Sequence, residues 1–187
     1  MEKLRQGVLG SGKGSNYRAI QEAILRGELD AETRLVISDV EGSGILEAAR
    51  RYGVRAEYVA PGRFRTKMEP EAEERIVRLL KEAGAELVVL AGYMRMVKEP
   101  LLEAFPGKII NIHPSLLPAF PGLEAWTQAL AAGVAETGCT VHPVSATPAA
   151  SACFHASSPG KAGSSEGWIL MIFPGNASSS GSFTIRM

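Results

Sequence analysis

Cysteine is scarce: Cys139 and Cys153 are the only two in 187 residues, too few for a disulfide framework. Cys153 and the nearby His155 lack the spacing of metal ligands, so no metal is expected. Charge of one sign is not in excess either. Lys plus Arg and Asp plus Glu each number 20, with no basic cluster, which argues against a nucleic-acid or membrane surface and points to small-molecule ligands. No apolar run approaches the roughly eighteen residues of a membrane span, and the charge-rich start has nothing like the apolar core of a signal peptide. With no internal repeat, the chain reads as a soluble, cytoplasmic protein, a monomer or a homodimer. Its length suits one domain that buries about 70% of the surface its unfolded form exposes.

What is present is alternation. From residue 5 to about residue 140, short β-rich runs alternate with longer helical patterns, the sequence form of an α/β fold with a Rossmann-like, doubly wound, mostly parallel sheet. Strands are expected at Gln6 to Leu9, Arg34 to Ser38, Ala56 to Val59, Glu86 to Leu90 and Lys108 to Ile112, with a later one through Thr140 to His142. The clearest helix spans Glu69 to Ala83, with Pro70 in its first turn and Ile76, Val77, Leu80 and Ala83 as an apolar stripe. Another is expected over Glu124 to Leu130, with Trp126, Ala129 and Leu130 facing inward. Composition changes after residue 142. Residues 143–187 hold 10 serines against 5 in the preceding 142, and only Lys161, Glu166 and Arg186 are charged there. That shift divides the chain into 1–142 and a Ser/Gly/Ala/Pro-rich tail, 143–187, whose one apolar run is Trp168 to Phe173.

Three segments carry candidate chemistry. Ile109-Ile110-Asn111-Ile112-His113-Pro114 ends an apolar strand on an Asn and a His two residues apart, so both leave one face of the strand end, where a parallel sheet keeps its chemistry. An amide can hold a developing oxyanion while an imidazole gives or takes a proton, a pairing suited to acyl transfer. A hydrogen-bonded strand-end histidine beside a turn-forming Asn is the structural alternative. Gly10-Ser11-Gly12-Lys13-Gly14-Ser15-Asn16 joins the first strand to the first helix, where backbone N–H groups and the helix end can cradle an anion. Its spacing matches neither the dinucleotide fingerprint nor the nucleotide P-loop, so a single phosphate fits better. A tight turn with Ser15 or Asn16 as helix N-cap is compatible with that, and Ser11 and Lys13 read as structural. Leu90-Ala91-Gly92-Tyr93-Met94-Arg95-Met96-Val97 leaves the fourth strand at its C-terminal end, and on their own its methionines read as core. Asp39 stands near the place of the ribose-binding acid of dinucleotide folds but is poor support for one, given the glycine spacing.

Together with Ser115-Leu116-Leu117-Pro118, Phe120-Pro121-Gly122-Leu123 and Thr137-Gly138-Cys139-Thr140-Val141-His142, these segments resemble in order and spacing the signature blocks of the folate-dependent formyltransferases. Within them the branch that formylates glycinamide ribonucleotide is most similar, and the resemblance covers residues 5 to 142. It implies transfer of a formyl group from the co-substrate 10-formyltetrahydrofolate to the amine of 5-phosphoribosylglycinamide, in de novo purine (IMP) biosynthesis. Asn111 would stabilise the oxyanion and adjoin the folate, and His113 would shuttle the proton. Gly14, Ser15 and Asn16 would hold the ribonucleotide phosphate. Lys67, Met94, Arg95, Met96 and Val97 would line the folate pocket, the apolar three as a flat wall and Arg95 with backbone groups at the polar edge. His142 would support the loop that follows it. Methionyl-tRNA formyltransferase and formyltetrahydrofolate hydrolase share the His-Pro-Ser block. They account less well for the phosphate loop, and each is expected to need a further domain for which this chain has no room. A non-catalytic ribonucleotide-binding remnant is an alternative of another class.

The resemblance ends at His142. The family's Asp-rich loop, further strands and closing helix have no counterpart, and the Asp expected seven residues after His142 is Ala149. A carboxylate there would favour the imidazolium of the catalytic His, so His113 is expected to be a weaker proton donor and the chain weak or inactive. A frameshift accounts for the tail, because codons for Ala146-Thr147-Pro148-Ala149 read two nucleotides along can spell Asp-Thr-Gly. A divergent or disordered tail is the alternative.

Overall fold

Runs such as Val8-Leu9 and Leu35-Val36-Ile37 are apolar at consecutive positions, a pattern that suits a sheet covered on both faces. In the computed structural model, which describes residues 2–64 and 66–144 and the backbone of 185–186, they lie fully buried in parallel strands. Ala149, Cys153, His155 and the run Trp168 to Phe173 lie outside the described residues. The chain divides into two units, Met1–Ile110 and Asn111–Met187.

The first unit runs β1 (Leu4–Leu9), α1 (Ser15–Leu25), β2 (Ala31–Ser38), α2 (Gly44–Arg51), β3 (Ala56–Tyr58), α3 (Pro70–Glu82), β4 (Leu87–Leu90) and α4 (Glu99–Ala104), then enters β5 (Ile109–His113), which is divided between the units. Its strands are ordered β3-β2-β1-β4-β5. β1 pairs in parallel with both β2 and β4, and β2 with β3. Strand order therefore reverses at β1, the doubly wound arrangement in which ligands bind beyond the C-terminal strand ends. In α3, Pro70 occupies the first turn and Ile76 and Leu80 are buried as their spacing predicts. Glu73 shares that buried face, and its carboxylate accepts the Lys98 backbone N–H at 2.7 Å.

The second unit holds the end of β5, then α5 (Ala125–Ala131), β6 (Glu136–Thr137), β7 (Thr140–Pro143) and β8 (Ile185–Arg186). β7 neighbours β5, and β6 pairs antiparallel with β8. α5 corrects one expectation. Trp126 and Leu130 do not face inward but are 60% and 52% exposed, while Ala125 and Ala129 are fully buried. Glu124, in the left-handed region at φ 54°, starts the helix at Ala125, so two small residues four apart set the inward face and the large ones fall one position round.

Candidate active site

In the first unit, β1 gives way after Leu9 to a loop tied down on several sides. Gly10 N–H donates to Ile37 O at 3.1 Å, Ser11 N–H to Gly92 O at 3.0 Å and Ile45 N–H to Gly12 O at 3.0 Å. The N-cap of α1 is Gly14, not Ser15 or Asn16, and no side chain caps the helix. The physical reason is space and conformation: Gly14 has φ +75°, and a Cβ there would stand 2.7 Å from Ile45 Cα. Ser15 and Asn16 are exposed in the first turn, which holds no acidic residue, and its N–H groups and helix dipole suit an anion. Ser11 is structural as expected, its Oγ accepting the Met94 N–H at 2.9 Å.

The segment after β4 departs from a core reading, because Met94 is 58% exposed; Met96 and Val97 are half-buried. Arg95 Nε donates to Asp39 Oδ2 at 2.6 Å and Nη1 to the Phe64 carbonyl at 2.5 Å. Met96 N–H donates to Thr66 O at 2.9 Å, and Lys67 forms a parallel bridge with Met96. Lys67 Nζ stands 4.2 Å above the Phe64 ring, a cation–π contact. Three candidate folate residues, Lys67, Arg95 and Met96, thus meet around residues 64–67. Sequence reasoning missed the part of Asp39. Its place after β2 suggests only a dinucleotide role, and no local pattern links it to a residue 56 positions on.

In the second unit, Asn111 and His113 are buried on one face of β5, where burial alternates residue by residue. His142 Nδ1 lies 2.9 Å from the Pro143 carbonyl. A carbonyl can only accept, so Nδ1 carries the proton and Nε2 is left to accept from Asn111 Nδ2 at 3.1 Å. By the same reasoning His113 Nε2, 3.2 Å from the Phe120 carbonyl, is the protonated nitrogen, and Nδ1 carries the lone pair. Phe120 presents that carbonyl from the left-handed region, φ 52°, which is strained for a bulky side chain. Surrounding bonds hold the loop. The Ser115 hydroxyl is directed at the Ala119 and Phe120 carbonyls, and Thr140 Oγ1 accepts Leu117 N–H and donates to Ser115 O.

Burial pushes the His113 pKa down, against an opposing contribution from the Phe120 carbonyl. Burial also lowers that of His142, with the Pro143 carbonyl opposing and His113 adding to the fall. Two imidazoles held neutral beside an amide donor can receive a proton and steady a negative oxygen. Ser115, turned to carbonyls, is not poised as a nucleophile. Among the described residues no group of three or more His, Cys, Asp or Glu could hold a metal, and no helix is long and apolar enough to cross a membrane.

The strand-end amide and imidazole of the second unit suit an acyl-group transferase, and the turn after β1 in the first unit, taken by itself, suits an anion. The chain belongs to the formyl transferase family, whose sequence pattern matches residues 4–147. It is 42% identical over 137 residues to the phosphoribosylglycinamide formyltransferase of Bacillus subtilis, covering 73% of this chain and 69% of that one. It is 38% identical over 141 residues to the human trifunctional purine biosynthetic protein adenosine-3, covering 75% of this chain but 14% of that protein. Among solved structures, glycinamide ribonucleotide transformylase 1 from Symbiobacterium toebii superposes with a TM-score of 0.72 at 47% identity, covering 78% of this chain and 68% of that one. The phosphoribosylglycinamide formyltransferase from Bacillus halodurans gives 0.73 at 34% identity, covering 98% and 80%.

Proposed function

We propose that this chain transfers a formyl group from 10-formyltetrahydrofolate to the amine of glycinamide ribonucleotide, a cytoplasmic step of purine biosynthesis. The observation that carries the reading is the pair on β5: Asn111 with its amide N–H oriented by His142, and His113 with its lone pair on Nδ1. When bound, the folate supplies the formyl group on a nitrogen that can depart. Asn111 Nδ2 donates to the formyl oxygen as negative charge gathers there. His113 Nδ1 receives the proton that the amine loses as its C–N bond forms, and returns it to the departing nitrogen as the old C–N bond breaks. No covalent bond to the protein is required.

Gly14 N–H, Ser15 and Asn16 hold the ribonucleotide phosphate at the start of α1. Lys67, Met94, Arg95, Met96 and Val97 serve the folate. The exposure of Met94 and the bridge between Lys67 and Met96 support that assignment, with Arg95 acting through the segment it anchors. Residues 1–142 make up the formyltransferase portion, and the sequence of 143–187 is of frameshifted origin. Ala149 gives His113 no carboxylate partner, so burial dominates and keeps His113 neutral, with little imidazolium to donate a proton near neutral pH. Turnover falls by about 10²- to 10⁴-fold for want of that help.

Formyl transfer from 10-formyltetrahydrofolate to glycinamide ribonucleotide tests the reading, with His113→Ala as control and Ala149→Asp as rescue. Turnover that disappears in His113→Ala supports it. Ribonucleotide binding with no turnover in any variant favours the binding remnant, and failure to bind either substrate sinks both.

A further inference from the structure

We infer that Asp39 is a positioning residue for the segment Met94–Val97, acting through Arg95; that the segment serves the folate rests on the function proposed above. Residues 92–98 belong to no helix or ladder beyond the single bridge at Met96, so their shape is set by a few contacts. Backbone contacts hold them at four places: Gly92 O accepts Ser11 N–H, Met94 N–H donates to Ser11 Oγ, Met96 N–H to Thr66 O and Lys98 N–H to Glu73 Oε1. Side-chain contacts come from Arg95, whose guanidinium joins Asp39, just beyond β2, to the Phe64 carbonyl.

The Asp39 side chain is 1% exposed and that of Arg95 14%, so the pair is shielded from water and from salt. Asp39 Oδ1 is buried with no hydrogen-bond partner, which leaves the guanidinium at Oδ2 as the group that offsets the carboxylate. Removing either partner strands a buried charge or frees the fork that reaches Phe64. Lysine cannot replace Arg95, since a point charge cannot reach Oδ2 and the carbonyl together. Asp39 touches none of the proposed reacting groups. It fixes where Met94 and the 94–97 backbone point.

The test compares wild type with Asp39→Asn, Arg95→Met and the double variant. It reads amide hydrogen exchange at 92–98, affinity for a stable 10-formylfolate analogue, and affinity for glycinamide ribonucleotide. Asp39→Asn should speed exchange at 94–97 while β1 and β4 amides stay protected. It should weaken the folate analogue by about tenfold or more and move the ribonucleotide by less than about twofold, with the double variant no worse than Arg95→Met. Unchanged exchange at 94–97, or exchange rising evenly through the first unit, would overturn the inference. Wild type that fails to bind the analogue defeats the folate reading alone, because the exchange result still decides whether Asp39 holds the segment.

Discussion

Asn111 Nδ2 lies 3.1 Å from His142 Nε2, and the Pro143 carbonyl, by claiming the Nδ1 proton, decides which way that hydrogen bond runs. With one amide proton given to His142, the other remains for the oxyanion of the proposed reaction. His142→Ala leaves a buried amide without its acceptor, worth about 1–3 kcal/mol, so kcat should fall about 10- to 100-fold with little change in the KM for ribonucleotide. His142→Gln, whose carbonyl can accept the same bond, should recover part of the loss. Steady-state kinetics on the three proteins checks this. A variant that merely melts earlier at unchanged kcat would refute it.

Stability should fall on mild acidification. Burial lowers the pKa of both His113 and His142 in the folded chain, whereas unfolded histidine titrates near about 6.5. Below that value the unfolded state binds more protons, so the contribution is complete above about pH 6.5 and is lost as pH drops toward the lowered folded values. Thermal midpoints measured from pH 8 to pH 5 should decline, and His113→Gln with His142→Gln should flatten the decline. An equal slope in both proteins would rule the histidines out as its source.

Much of this was legible in the chain because strand periodicity is rigid. Alternation along Ile109–His113 predicts that Asn111 and His113 share a face, and both are buried there. The continuous apolar runs of β1, β2 and β4 likewise predict buried parallel strands. Helix phase is softer. Trp126 and Leu130 look like core by size, yet a left-handed residue at Glu124 turns two alanines inward instead. The N-cap of α1 escaped for a tertiary reason too, since only the approach of Ile45 reveals why Gly14 stands there. Pairings across long separations, Asp39 with Arg95 and Asn111 with His142, leave no local pattern to read. The tautomers follow only from carbonyls that the fold brings near.

Glu73→Gln should stabilise the protein at neutral pH. Burial raises the Glu73 pKa, outweighing the Lys98 backbone donor. A raised carboxyl contributes stability that is present below the unfolded value and disappears as pH rises through the folded one. Glutamine copies the protonated form and keeps an oxygen for the Lys98 N–H. The variant should therefore match wild type at acid pH and melt higher above neutrality. A lower melting point at pH 8 would mean the bond from the Lys98 backbone N–H to the ionised Glu73 carboxylate outweighs burial.

Gly14 and Gly27 separate conformational strain from steric conflict. Both have positive φ, +75° and +74°, but a Cβ at Gly27 would meet nothing within 4 Å, whereas at Gly14 it would lie 2.7 Å from Ile45 Cα and 2.9 Å from its Cβ. Gly27→Ala should cost only the left-handed penalty, about 1–2 kcal/mol, and leave ribonucleotide affinity unchanged. Gly14→Ala carries the same penalty and must also push α1 and α2 apart at the turn proposed to hold the phosphate, because backbone at Ile45 cannot yield as a flexible side chain would. Its ribonucleotide affinity should drop about 10- to 100-fold, an additional loss of about 1.4–2.8 kcal/mol at the phosphate. Calorimetric titration with glycinamide ribonucleotide, beside thermal melts of both variants, distinguishes the two effects. Equal affinities in the two variants would take the phosphate away from the start of α1.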